Sequence, residues 1–264
     1  MILDEIAAKT RIRVEELKRK VSLDEIKAQA RTCNKDTGYP FYQALATEPL
    51  SFICEVKKAS PSKGVIAEDF PYVQIAREYE EAGASAISCL TEPYYFQGSN
   101  QYLTEITQAC SIPVLRKDFT IDEYQIYEAK VIGASAVLLI CALLDKEIIK
   151  QYIEIAEDLG LSALVEAHDE KEVKDAIWAG AKIIGVNNRD LRNFTVDLNN
   201  SIQLRKKIPK EILFVSESGI KTAADIQVLK ENGTNAVLIG ETLMRSKNKK
   251  AEILKLNGEA YGEN

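Results

Sequence analysis

AGASAI at residues 82–87 decides the fold, because it returns as IGASAV at 132–137, AGAKII at 179–184 and NGTNAV at 232–237. In each, a glycine (Gly83, Gly133, Gly180, Gly233) stands where a helix-period pattern stops, and a short apolar run follows. Glycine suits the left-handed residue that closes a helix, and the run reads as a buried strand. The four glycines recur roughly every 50 residues, the mark of a repeated structural unit. Further strand candidates lie between them, at 52–57, 113–117, 161–166 and 213–217. The eight strands then read FICEVK, SAISCL, PVLRKD, SAVLLI, SALVEA, KIIGVN, LFVSES and AVLIGE, each followed by a helical pattern such as DKEIIKQYIEIAEDLG. Strict alternation of strand and helix implies parallel pairing with helical crossovers, and eight units in about 220 residues predict an α/β fold, a closed (β/α)8 TIM barrel. A doubly wound open sheet is the competitor, but it would more naturally carry a GxGxxG or GxxxxGK turn, and neither occurs.

Residues 1–45 stand outside that count. Leu3, Ile6 and Ala7, then Val14 and Leu17, then Leu23, Ile26 and Ala30 fall at helical spacings, which predicts an N-terminal helical extension of two or three helices. No Gly/Ser-rich or Pro-rich linker interrupts the chain, so residues 1–264 read as a single barrel domain.

Composition narrows the function. The chain is 46% hydrophobic, with 34 basic and 40 acidic side chains and a formal net charge of -6. Disordered chains lack this apolar content. Sequence-independent nucleic-acid binding needs a basic surface, so nucleic acid is not an expected partner. The longest apolar run, 131–144, is shorter than the roughly 18 residues of a spanning helix, so no membrane partner is expected. The opening MILDEIAAKTRIR mixes acids and bases where a secretion signal would carry an apolar block. Five cysteines without a CxxC spacing read as reduced thiols of a cytoplasmic protein. With one histidine and no cysteine cluster, a metal site has no support. Composition and spacing leave the oligomeric state open, a monomer being compatible with both.

Function in a parallel barrel gathers at the C-terminal ends of the strands, and this chain repeatedly places charged or amide residues there. Glu55 and Lys57 close the first strand, two apart and therefore on one side. Lys117 ends the third strand, Glu166 the fifth, Asn187 the sixth and Glu217 the seventh. A lone charge at a strand end marks only where the strand meets water. Two lysines and several carboxylates converging on one barrel mouth match what acid–base chemistry needs. Barrels also hold phosphate on backbone amides of the turns after strands seven and eight. Those turns read SESGI and IGET, so Ser218, Gly219, Gly240 and Glu241 are the expected phosphate contacts, with Lys57 supplying charge. Arg189, just beyond the sixth strand, is a candidate for binding a carboxylate or holding a neighbouring acid. His168 reads as a solvated loop residue, and Trp178, Tyr124, Tyr127 and Tyr152 read as helix packing residues.

FICEVKKASPSKG, LTEPYYFQGS, PVLRKDF, ALVEAH, IGVNNRDL and VSESGI closely resemble, in order, segments of the indole-3-glycerol-phosphate synthase family of tryptophan biosynthesis. EVKKASPSKG together with RKDF is the most specific part, and the N-terminal helical extension is a family trait. The resemblance implies a carboxy-lyase that closes the indole ring of 1-(2-carboxyphenylamino)-1-deoxyribulose 5-phosphate, releasing carbon dioxide and water, with no cofactor. It implies Lys117 as the general acid on the ketone oxygen and Glu166 as the base of the later proton removal. Lys57 is implied at the phosphate or carboxylate and as a proton donor in dehydration, with Glu55, Glu217 and Asn187 positioning lysines and substrate. Pro61, Phe96, Phe119 and Leu191 match the family's apolar positions around the anilino ring, with Ser60 and Arg189 as further substrate contacts. Glu241 departs from the serine many relatives carry. The competing readings are a phosphate-binding sugar isomerase, which usually relies on an aspartate or cysteine pair, and a non-catalytic barrel, which should have lost part of the lysine–glutamate set.

Overall fold

The computed structural model describes residues 2–47, 49–190 and 194–259. Eight parallel strands close into a barrel: β1 (Ser51–Val56), β2 (Ala86–Leu90), β3 (Val114–Lys117), β4 (Ala136–Ile140), β5 (Ser162–Ala167), β6 (Ile183–Asn187), β7 (Leu213–Glu217) and β8 (Ala236–Ile239). Each pairs with its sequence neighbours, and β8 returns to β1 with Ser51 opposite Ala236 and Cys54 opposite Ile239. The helices are α1 (Ile2–Lys20), α2 (Leu23–Thr32), α3 (Pro40–Leu45), α4 (Tyr72–Glu81), α5 (Asn100–Ala109), α6 (Glu123–Val131), α7 (Lys146–Asp158), α8 (Glu170–Trp178), α9 (Asn199–Arg205), α10 (Ala223–Glu231), α11 (Glu241–Arg245) and α12 (Lys249–Leu256). The recurring junction behaves as its composition predicts. Gly83, Gly133, Gly180 and Gly233 all have positive φ, from 76° to 92°, and each turns a helix into the next strand.

The period of two along each strand sorts side chains into two apolar layers. Outward residues such as Phe52, Cys54, Val165, Ile184 and Phe214 pack beneath the helices. Inward residues, among them Ile53, Leu115, Leu164, Ile183, Leu213 and Val215, fill the lower barrel. Phe41 and Leu45 of α3 belong to that inner cluster and are fully buried, so α3 plugs the bottom of the barrel.

The N-terminal extension runs from one end of the barrel to the other. While α3 closes the bottom, α1 lies at the top, where Ile2, Leu3 and Ile6 face the central cavity. Arg13 of α1 donates to Asp118 Oδ1 at 2.7 Å, a carboxylate that also accepts from Thr91 Oγ1 at 2.6 Å. Between these ends α2 packs along α6 through Ile26 and Tyr124, helped by a Lys27–Glu123 ion pair of 3.0 Å. Trp178 departs from its packing assignment: it is 52% exposed, with the Lys146 ammonium 4.5 Å from its ring centre. Tyr124 and Tyr152 are buried as expected. Among the described residues no helix is long and apolar enough to cross a membrane, and all five cysteines are free.

Candidate active site

The inward alternation that fills the lower barrel with aliphatic side chains continues to the strand ends and there changes chemistry. Two residues beyond Leu115 comes Lys117, beyond Leu164 comes Glu166, and beyond Val215 comes Glu217. Lys117 Nζ donates to Glu166 Oε2 and to Glu217 Oε2, both at 3.0 Å. Asn187 Nδ2 donates to the other oxygen of Glu166 at 3.3 Å. Across the mouth, Lys57 Nζ donates to Glu55 Oε1 in a very short contact. Two glycines make room for this layer. A Cβ on Gly185 would collide with Glu217 Oε1, and one on Gly240 would collide with Glu55 Oε1.

Burial and charge compete at each group. Burial alone would lower the Lys117 ammonium, yet Glu166, Glu217 and Glu55 together raise it above the usual lysine range. Burial alone would raise Glu166, but Lys117 and His168 hold its carboxyl below the usual range. Glu217 goes the other way: burial and the nearby Glu166 charge outweigh Lys117 and push its carboxyl up. Its Oε1 is buried with no hydrogen-bond partner among the described residues, the structural counterpart of that shift. Two carboxylates beside one ammonium are thus driven apart, Glu166 below and Glu217 above the usual carboxylate range.

These groups line a cavity of about 510 Å³, within the range of small-molecule sites. Every expected site residue inside the described chain faces it: Glu55, Lys57, Ser60, Pro61, Phe96, Lys117, Phe119, Glu166, Asn187, Arg189, Glu217, Ser218, Gly219, Gly240 and Glu241. Leu191 lies outside the described residues. Phe96 and Phe119 form an apolar wall with ring centres 5.9 Å apart. On the opposite rim the turn after β7 carries positive φ at Ser218 (68°) and Gly219 (85°). A Cβ on Gly219 would strike the Val196 side chain, so this turn needs glycine twice over, for φ and for space. Glu241 opens α11 beside that rim. Its carboxylate is engaged by Arg245 at 3.2 Å and Lys63 at 3.6 Å, which offsets its charge where an anion would sit. Arg189 donates from Nη1 to the Phe194 carbonyl at 3.4 Å.

Some contributors are not visible in the sequence. Ile2, Leu3 and Ile6 complete the apolar wall from α1; their helical spacing is legible, but not the surface they cover. Glu92 is fully buried and accepts the backbone N–H groups of Tyr94 (2.9 Å), Tyr95 (2.7 Å) and Phe96 (3.0 Å), so one carboxylate shapes the loop that presents Phe96. The motif TEPYYF hints at it, since an acid two to four residues ahead of those amides can fold back on them. His168 is a correction. Instead of standing in solvent, its ring is held between Glu166 (Nε2 to Oε1, 3.4 Å) and Glu172 (Nδ1 to Oε2, 3.1 Å).

The family described as indole-3-glycerol phosphate synthase matches residues 3–256. The chain is 61% identical over 260 residues to the indole-3-glycerol phosphate synthase of Ruminiclostridium cellulolyticum, covering 98% of this chain and all of that one. It is 57% identical over 248 residues to the enzyme of the same name from Endomicrobium trichonymphae, covering 94% and 96% of the two chains. Among solved structures, 3-hexulose-6-phosphate synthase from Salmonella typhimurium superposes with a TM-score of 0.65 at 13% identity, over 79% of this chain and 97% of that one, a likeness of fold alone. The chain belongs to the indole-3-glycerol phosphate synthase family.

Proposed function

We propose that the cavity at the barrel mouth carries out its family's reaction with Lys117 as general acid and Glu166 as general base. The substrate is 1-(2-carboxyphenylamino)-1-deoxyribulose 5-phosphate, a phosphorylated small molecule, and the products are indole-3-glycerol phosphate, carbon dioxide and water. The observation that carries the reading is the Lys117 ammonium held between Glu166 and Glu217 at 3.0 Å from each, in a cavity with an aromatic wall on one side and glycine turns on the other.

An aromatic carbon is a weak nucleophile, so the ketone must be made more electrophilic as the two carbons join. Lys117 gives a proton to the ketone oxygen as the ring carbon bearing the carboxylate attacks. The carbon–carboxylate bond then breaks, and its electron pair returns to the ring as carbon dioxide leaves. In the last step the new hydroxyl leaves as water with a proton from Lys57, while Glu166 takes the proton from the ring carbon beside nitrogen. One proton is consumed per turnover, and no electron is exchanged with any partner, so the chemistry calls for no cofactor. Phe96, Phe119 and Pro61 bind the anilino ring, and Ser60 and Arg189 its polar edges. Ser218, Gly219 and Gly240 hold the phosphate with Lys57, and Glu55 and Asn187 orient Lys57 and Glu166. A cytoplasmic enzyme is the matching location, consistent with five free thiols.

The test follows indole fluorescence as purified protein meets the anilino substrate. Steady appearance of the indole product is expected. No product, or product at the same rate from a Lys117→Ala/Glu166→Gln double variant, removes the reading. Inorganic phosphate should compete with substrate; an unchanged KM in its presence shows that the glycine turns do not bind the phosphate.

A further inference from the structure

The single histidine of the chain has no part in the chemistry above. His168 lies between the end of β5 and Asp169, the residue that caps α8. Its backbone N–H donates to Glu172 Oε2 at 2.7 Å, and its ring Nδ1 lies 3.1 Å from the same oxygen. On the other side Nε2 is sealed from solvent, has no hydrogen-bond partner among the described residues, and lies 3.4 Å from Glu166 Oε1 as a close charge contact. A neutral imidazole carries one N–H and one lone pair. With Nδ1 donating to Glu172, the neutral ring would set its Nε2 lone pair against a carboxylate oxygen, acceptor facing acceptor. Only the imidazolium keeps the Nδ1 hydrogen bond to Glu172 and also sets positive charge beside Glu166 Oε1.

We propose that His168 is a positioning residue for the catalytic base: clamped as an imidazolium between Glu172 and Glu166, it holds the Glu166 carboxylate ionised and turned toward the reacting carbon. The proposal rests on the reading of Glu166 as base. Glu166 would otherwise have its charge satisfied by Lys117 and Asn187 alone, on the acid's side of the site. A second cation behind Glu166 Oε1 balances that pull, so giving up the Lys117 proton does not strand the base.

The charged surroundings favour the imidazolium. Glu166 faces the ring from β5, Glu172 from α8 and Glu217 from β7. Lys117 of β3 donates to Glu166, the carboxylate beside the ring, at 3.0 Å. Asp169 is occupied at its helix cap, accepting the Glu172 N–H at 2.9 Å. Asn200 of α9 donates to the His168 carbonyl at 3.1 Å. Cys141, after β4, is kept neutral by burial. Burial and the positive end of α8 oppose the charge, yet the Glu172 hydrogen bond and the Glu166 charge prevail, and the ring titrates above its ordinary 6.5. A group raised in this way is charged below its titration point and loses the charge as pH rises through it. Turnover should therefore carry an alkaline limb that follows His168. Neither His168 nor Glu172 lines the substrate cavity, so changes at Glu172 do not touch substrate.

Because the histidine is unique, its imidazole C2–H proton signal reports its titration without assignment, in wild type and in folded Glu172→Gln and Glu166→Gln variants. The midpoint should lie above 6.5 in wild type and move down in both variants. The alkaline limb of kcat should move down with it in Glu172→Gln. His168→Gln, which keeps an amide donor but no charge, should lose about tenfold in kcat with KM little changed, and lose the limb altogether. A wild-type midpoint at or below 6.5 overturns the proposal and needs no variant. So does a midpoint that Glu172→Gln leaves unmoved, or a limb that stays while the midpoint shifts. The underlying reading fails separately: near-native turnover in Glu166→Gln removes the base itself, whereas an inactive Glu166→Gln beside an unmoved His168 titration leaves the base and removes only the clamp.

Discussion

Leu115, Leu164 and Val215 sit on the same inward face of the same strands as Lys117, Glu166 and Glu217, each just two residues lower. The lower three are fully buried, and Glu166 and Glu217 are only 3% and 2% exposed. Burial this similar has opposite consequences. Each aliphatic side chain taken from water stabilises the barrel by about 1.5–3 kcal/mol. Each ion taken from water costs several kcal/mol, only partly recovered from its partners. The lower layer explains why the barrel stands, and the upper layer is a destabilising arrangement that the lower one supports. Its glycines, Gly185 and Gly240, make the same point, because they give up packing to leave space for Glu217 and Glu55.

The contrast breaks most visibly at Lys117. Lys117→Ala should reduce turnover by about a hundred- to ten-thousand-fold, with a circular dichroism spectrum and melting cooperativity like wild type. Activity within a few-fold of wild type would show the upper layer to be structural after all. Glu166→Gln keeps shape and hydrogen-bonding reach but not basicity, so single-turnover kinetics should show a loss of about a hundred-fold in rate with substrate affinity nearly unchanged. A defect confined to binding would move Glu166 from base to anchor.

The lower layer should respond in stability instead of rate. Ile183→Val, on the inward face of the strand that ends in Asn187, is expected to cost about 0.5–1.5 kcal/mol of stability in denaturant titration, leaving kcat per folded molecule intact. A lowered kcat would mean the two layers are mechanically coupled. Glu217→Gln should give the smallest effect and the opposite sign. Because the Glu217 carboxyl is raised, mainly by burial, its contribution to stability is full below the unfolded-state value and is lost as pH rises through the folded one. The glutamine variant does not titrate, so it should gain on wild type as pH rises, by about 2–4 °C in Tm for each kcal/mol. A gain that is greater in acid than in alkali would reverse the sign of the Glu217 shift.

Much of this molecule is determined locally. Four repeated glycine junctions set helix against strand because only glycine accepts a left-handed turn at no cost, and eight such units can bury their apolar faces together only by closing. The period of two along a strand is enough by itself to put Glu55 and Lys57 on one side. Tertiary structure alone decides the partnerships. Lys117 meets Glu166 and Glu217 from 49 and 100 residues away, since barrel closure, and no sequence spacing, sets which strand ends converge. It also carries α1 to the mouth and α3 to the base, and the helical periodicity of α1 names an apolar face but not the surface that will cover it. His168 shows the limit most clearly. Two residues past Glu166 it reads as a loop side chain in water, and only the return of α8 brings Glu172 to its far side and makes it part of the charge network.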